Sequence, residues 1–450
     1  MRRMSTGTPW RRSLVLFSAL LLAGASSTFA QDVTRMDAVV QSFVTNQTFA
    51  GSVLVTRGSN VIFNKGYGLA DIEGKVSNRP ATRFPVASIT KQFTAAAILL
   101  LAERGRLNID DPVKKHLPEA PPHWDGMTVF HLLSHTAGFQ GLQTPVPARV
   151  AITSPDGSLE GFVAQAMKQP LESAPGAAFN YSNAGYYILG HLIQKLSGQT
   201  YEQFIQANIL TPLGMKETEV PRATSTRARM YNPGPNGLVA FVQPAGVVPS
   251  AGGFQSTTAD LARWQTALYG GKVVSAASLK RMTTPFKGDY GLGIYIRTVD
   301  GRLAYTHGGG APPFANLTYF PDSATSVAVL GNINAGRAPE IAAFLGALAH
   351  GQAVTLPSER KAITLAASVL KPYVGDYEMA GQAIAVTLDG AQLALQFPGG
   401  PSMPILAESA NSFYLKDLNY RIEFIRDGSG AVTEFIIHQG TRQDRARRTK

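Results

Sequence analysis

The 450-residue chain contains no cysteine. That absence excludes structural disulfides, thiol nucleophiles and thiolate metal sites together. Charged residues make up only 16% of the chain against 44% hydrophobic ones, so a disordered, solvated polymer is excluded and large cores can be buried. Long apolar runs are also lacking: the candidate, Leu14 to Ala25, is too short and too weakly flanked for a firm membrane span.

What surrounds that run reads as a leader. Arg2, Arg3, Arg11 and Arg12 precede it, and Thr28-Phe29-Ala30 places small residues where a signal peptidase reads, which predicts a signal peptide over 1–30. Arg11-Arg12 leaves twin-arginine export open beside the general route. An exported chain without disulfides points to a bacterial periplasm or to secretion. Of the formal charge of +11, four units are leader arginines unopposed by any acid, leaving +7 for the remainder. A second basic cluster, Arg442, Arg445, Arg447, Arg448 and Lys450, reads as a solvated tail, with loose contact to an anionic envelope surface as the alternative. Neither cluster sits on a motif with aromatic partners, so no nucleic-acid partner is expected.

The length predicts two or three domains at about 150 residues each. Apolar positions Met36, Val39, Val40, Phe43 and Val44 make an amphipathic helix, and 51–55 with 61–65 read as a hairpin through Gly58-Ser-Asn60. Residues 160–167, the stretch after Ser256 and 341–348 read as helices. Pairs of strands are expected around Ile294 to Tyr305 and over 317–330, returning to the first hairpin. Pro and Gly crowd 231–253, which reads as a long surface segment able to border a cleft, as does 140–157. The expected organisation is a signal peptide over 1–30, an α+β domain over 31–350, a linker over 351–365 and an antiparallel sheet or barrel over 366–450. In that last part alternating residues flank Asp389-Gly390 and Asp427-Gly428.

The chemistry gathers at Phe84-Pro-Val-Ala-Ser88-Ile-Thr-Lys91, where a loop enters a helix. Ser88 and Lys91 are three apart and share a helix face. A serine hydroxyl needs a neighbour to take its proton, and a lysine does so only when burial or nearby positive charge lowers its pKa. The pattern recurs at Ser358 to Lys361 and Ser368 to Lys371, so it decides nothing alone. Tyr181-Ser-Asn183 lies just ahead of another helix. Its tyrosine can share a proton with a lysine, and its asparagine amide can hold a lysine and a substrate carbonyl. His307-Gly308-Gly309-Gly310 follows a strand, and its glycines let a substrate lie against bare backbone N–H groups. His131 and His135 are four apart, but no glutamate follows the first and no third ligand is near, which favours a structural role over zinc.

In that order, Ser-x-x-Lys, Tyr-x-Asn and His-Gly-Gly, the chain resembles the serine β-lactamase and penicillin-binding-protein superfamily, in the branch of class C β-lactamases, over nearly all of 35–350. The resemblance implies a β-lactamase-like fold, a helical cluster beside a five-stranded antiparallel sheet flanked by helices, and no metal or organic cofactor. It implies that Ser88 is acylated, Lys91 activates it, Tyr181 shuttles the proton and later activates water, and Asn183 holds the substrate amide. The N–H groups of Ser88 and Gly310 would form the oxyanion hole, with His307 lining the opposite wall. β-Lactamases of this branch place Lys-Thr-Gly where this chain has His307-Gly308-Gly309, which makes the anchor for a substrate carboxylate weaker and pH-dependent. Histidine there is more similar to D-aminopeptidases and related peptidases of the family. The expected function is an exported serine hydrolase acting on amide bonds of short, linear or D-residue-containing peptides. A β-lactamase or carboxylesterase is the first alternative, and a non-catalytic peptidoglycan- or ligand-binding protein the second. Oligomeric state is not legible.

Overall fold

A computed structural model describes residues 33–141, 154, 157–221, 226–241, 249–356, 359–379, 381–415, 420–439 and 442–449. The leader expected over 1–30 lies outside the described residues. So do most of 140–157, residues 242–248 of the second cleft-bordering segment, and 357–358 of the expected linker.

The main sheet is built from β1 (Gly51–Arg57), β2 (Asn60–Tyr67), β3 (Tyr295–Val299), β4 (Arg302–Gly310), β5 (Pro313–Phe320) and β6 (Thr325–Gly331), in the spatial order β2-β1-β6-β5-β4-β3. All neighbours are antiparallel, and β1 meets β6 with Gly51 opposite Gly331 and Arg57 opposite Thr325. The five strands implied by the resemblance are therefore six, the count that the strand-like stretches of the sequence themselves give.

Every residue of β1 but the last is buried, because the sheet is covered on both sides. Val53 and Val55 face a core shared with Met36, Val39 and Val40 of the helix over 33–45 and with Ile341 and Leu345 of the helix Ala338–Ala349. Leu54, between them, turns to the opposite core, where the helices Thr90–Glu103 and Thr258–Tyr269 pack. This is the period-2 alternation of a strand serving two cores.

The helix Thr90–Glu103 is buried almost all round, which its alanines at 95, 96 and 97 permit by keeping it thin. Phe93 stacks on Trp264 at 4.1 Å between ring centroids, and the Trp264 indole donates to Gln92 Oε1 at 2.8 Å. A helix clamped this way holds the residues at its start rigidly.

Within the segment expected to run along the surface over 231–253, strands that the Pro and Gly pattern did not predict are present: Met230–Gly234 and Gly237–Phe241 form a two-stranded ribbon. Tyr231 is the reason. It is buried, its N–H donates to the Asn332 carbonyl, and its hydroxyl donates to Glu73 at 2.6 Å, so tertiary bonds order a stretch rich in turn formers.

After the domain, eight strands from Gly375–Met379 to Arg442–Arg448 close into an antiparallel barrel. Tyr373, Tyr377, Phe413, Phe424 and Phe435 fill it with Ile384, Leu395 and Ile422, so the interior is a packed core. Among the described residues no helix is long and apolar enough to cross a membrane.

Candidate active site

Ser88 sits in a 3-10 turn, Ala87–Ile89, that feeds the helix Thr90–Glu103. Ala87 holds φ +43, a strained value for a residue with a Cβ, and the turn is pinned where the Val86 N–H donates to the Phe254 carbonyl at 2.9 Å. One helical turn on, Lys91 is completely buried. Its Nζ lies 3.1 Å from Ser88 Oγ, 2.8 Å from Asn183 Oδ1 and 2.6 Å from the Ala251 carbonyl.

Those three partners define a protonation logic. Asn183 Oδ1 and the Ala251 carbonyl can only accept, so a neutral amine spends its two N–H groups on them and turns its lone pair to the Ser88 hydroxyl. Burial supplies the neutral amine by lowering the Lys91 pKa to about 7. The rings of Tyr181 and Tyr186, centred 5.0 and 5.4 Å from Nζ, favour the cation, but burial outweighs them.

Tyr181 completes the group. Burial pushes its hydroxyl well above the usual value, and its hydrogen bond with Ser88 offsets this only in part, so the phenol stays protonated at neutral pH. Asn183 is the first residue of the helix Asn183–Ser197, whose start is capped by Ser182. With Oδ1 given to Lys91, its amide nitrogen is the group left to donate.

The glycines of β4 approach this turn from the other side. A Cβ at Gly309 would lie 2.2 Å from the Val86 carbonyl, and one at Gly310, where φ is +96, would lie 2.4 Å from the Phe314 ring. At Gly308 the nearest atom would be 3.6 Å away. The strand register also breaks between Gly309 and Gly310, which re-aims the backbone there. Gly309→Ala is therefore expected to cost about 1–3 kcal/mol of stability and to displace the Ser88 turn. A displacement near 1 Å is worth about 100-fold in rate. Gly308→Ala, which meets no such contact, is the folding control, and thermal unfolding with activity assays compares the two.

His307 departs from the expected pH-dependent anchor. Its ring is 6.2 Å from that of Tyr181, as a wall residue should be, but it is 2% exposed and both nitrogens are engaged. Nδ1–H donates to the Gly308 carbonyl at 2.7 Å, and Nε2 accepts from the Tyr290 hydroxyl at 3.1 Å. Burial first, then the nearby Lys91, lowers its pKa to about 3. The residue is a neutral wall.

His131 and His135 do not share a helix face. His131 closes a capping box with Thr128 at the short helix Val129–Leu133, and His135 lies beyond that helix. Among the described residues no cluster of three His, Asp or Glu side chains is placed to hold a metal ion. Sequence reasoning missed the Ala251 carbonyl, since any residue can supply one. It also missed Tyr290, which lies in no motif.

The beta-lactamase family model matches residues 36–351, and a model described as a domain of unknown function, DUF3471, matches 359–448. Penicillin-binding protein 4* of Bacillus subtilis (strain 168) is 29% identical over 441 residues, which is 89% of this chain and 95% of that protein. The putative penicillin-binding protein PbpX of the same strain is 30% identical over 298 residues, 65% of this chain and 72% of that one. The solved structure of an octameric penicillin-binding protein homologue from Pyrococcus abyssi is similar at TM-score 0.67 and 27% identity, covering 92% of this chain and 100% of that one. The match runs from before β1 to the end of the helix that follows β6, taking in the Ser88 turn, and on this ground the chain belongs to the beta-lactamase family of serine hydrolases.

Proposed function

We propose that this protein hydrolyses amide bonds of short peptides, including D-residue-containing ones, through an acyl-enzyme on Ser88. The observation that carries the reading is the buried Lys91 Nζ, held by the Asn183 Oδ1 and Ala251 carbonyl acceptors within 3.1 Å of Ser88 Oγ. In acylation Oγ attacks the carbonyl carbon while its proton passes to Lys91 Nζ. The N–H groups of Ser88 and Gly310 receive the oxyanion, and Asn183 Nδ2 donates to a substrate carbonyl. When the C–N bond breaks, the leaving nitrogen takes a proton relayed through the Tyr181 hydroxyl from Lys91. Water then attacks the ester and yields a proton along the same relay to Lys91, which passes it to Ser88 Oγ as the C–O bond breaks and the acid leaves.

The neutral His307 supports an amide or ester whose adjoining group is uncharged over a β-lactam or a C-terminal carboxylate, since its own ring offers no positive charge to receive an anion. The same wall leaves a carboxylesterase as the second reading. The leader supports action in the periplasm or outside the cell. The name of the Bacillus relative adds one reaction to try, acylation by penicillin.

The test is mass spectrometry of linear peptides, with and without D-residues, incubated with the protein and with its Ser88→Ala variant. Serine-dependent cuts are expected. Their absence, with short-chain esters still hydrolysed, replaces the peptidase by the esterase.

A further inference from the structure

His135 belongs to none of the three motifs, yet it touches both the backbone around Tyr181 and the Tyr181 ring. Its backbone carbonyl accepts from the N–H of Asn180 at 2.8 Å, and its Nδ1 accepts from the N–H of Ser182 at 3.3 Å. One residue thus holds the chain on both sides of Tyr181. Its ring also lies against the Tyr181 ring, 4.2 Å between centroids at an interplanar angle of 35°.

Two further observations set it apart from an ordinary packed histidine. Its φ is +56, a left-handed conformation that is strained for a residue with a Cβ, and such strain persists where the surroundings enforce it. Because Nδ1 accepts, the proton of the neutral ring must be on Nε2, and that atom is buried with no hydrogen-bond partner. Tyr186 and Tyr290 crowd the imidazole instead, their rings centred 5.1 and 4.8 Å from its own. A residue that accepts both costs is fixed for what it holds.

We propose that His135 is the positioning residue of the site: by bonding the N–H groups on either side of Tyr181 and stacking on its ring, it fixes the hydroxyl within reach of Ser88. The inference rests on the reading of Ser88 as the acylated nucleophile. It goes beyond that reading by assigning a function to a histidine that sequence patterning gives a structural role. His135 touches no reacting atom. It acts through Tyr181.

The experiment follows covalent labelling of the full chain by a fluorophosphonate probe, which needs no knowledge of the natural substrate. Ser88 Oγ bonds to phosphorus, the P–F bond breaks, fluoride leaves and Lys91 takes the hydroxyl proton. His135→Asn tolerates the left-handed backbone and keeps an acceptor near Nδ1 but loses the ring; His135→Phe keeps a ring and loses the acceptor. Each is expected to slow labelling about 10-fold or more per folded molecule while the labelled fraction at completion stays near wild type. In a Tyr181→Phe background, itself slow, neither is expected to slow it further.

A structural role predicts the reverse, a lower labelled fraction at an unchanged rate constant, or losses that multiply with Tyr181→Phe. Either result overturns the proposal. Should wild type label only away from Ser88, the nucleophile reading falls and takes this one with it. Should Ser88 label normally and the His135 variants match wild type, this inference alone is lost.

Discussion

Replacing Ser88 by alanine is expected to reduce hydrolysis by on the order of 10,000-fold or more while the protein stays folded. The size follows from the proposed chemistry, in which the hydroxyl is the atom acylated and nothing else in the turn Ala87–Ile89 can take its place. What would remain is catalysis by the proposed oxyanion donors and by binding, which survive the change. Stability should move by less than about 1 kcal/mol, because Lys91 keeps Asn183 and Ala251 and loses one hydrogen bond. Initial rates on a cleaved peptide or ester, with thermal unfolding of both proteins, measure the two halves. Activity near the wild-type level would remove the acyl-enzyme.

Lys91→Met is expected to lower the rate roughly 100- to 10,000-fold, the contribution of a positioned proton acceptor, since methionine keeps the chain length without the amine. The pH profile of the wild type carries the same claim. With the Lys91 pKa lowered to about 7 by burial, the neutral base is one part in about ten at pH 6 and dominant at pH 8. The second-order rate constant should climb tenfold per pH unit below 7 and level off above it. His307, at about 3, and Tyr181, pushed well above its usual range, add no limb in between.

The same shift has a sign in stability. Unfolded, Lys91 titrates at 10.5, so between pH 7 and 10.5 the unfolded chain holds more protons than the native one, and stability rises with pH through that window. The cost of burying the cation is complete below pH 7. A profile with its inflection near 10.5 would mean the amine is solvated and not the base.

Ser88, Lys91, Tyr181 and Asn183 were legible because their chemistry is local: helical spacing joins the first two, and capping places Asn183 at the start of its helix. The β4 glycines were legible as bare backbone, but not that Gly309 and Gly310 are sterically required while Gly308 is not. That depends on Val86 and Phe314, brought near by the fold. His307 shows the limit most sharply. Its residue type predicts a titrating group, and only the assembled fold, by burying the ring beside Lys91, makes it neutral although the Gly308 carbonyl on Nδ1–H favours the cation. Strand patterning found all six strands of the main sheet. It failed at 230–241, where Pro233, Gly234, Pro235 and Gly237 hide the ribbon that the buried Tyr231 secures.

The pairing of Gly51 with Gly331 also sets a timetable for the molecule's birth. A ribosome adding about 5–20 residues per second needs roughly 14 to 56 seconds to pass from one partner to the other. For most of that interval the first hairpin exists without the strand that completes it, and the Ser88 turn, once made, without the Gly309 backbone it packs against. The candidate site is therefore incomplete until almost the whole domain has emerged. Ser88, written near the beginning of the message, meets the backbone it packs beside only once the end of the domain is read.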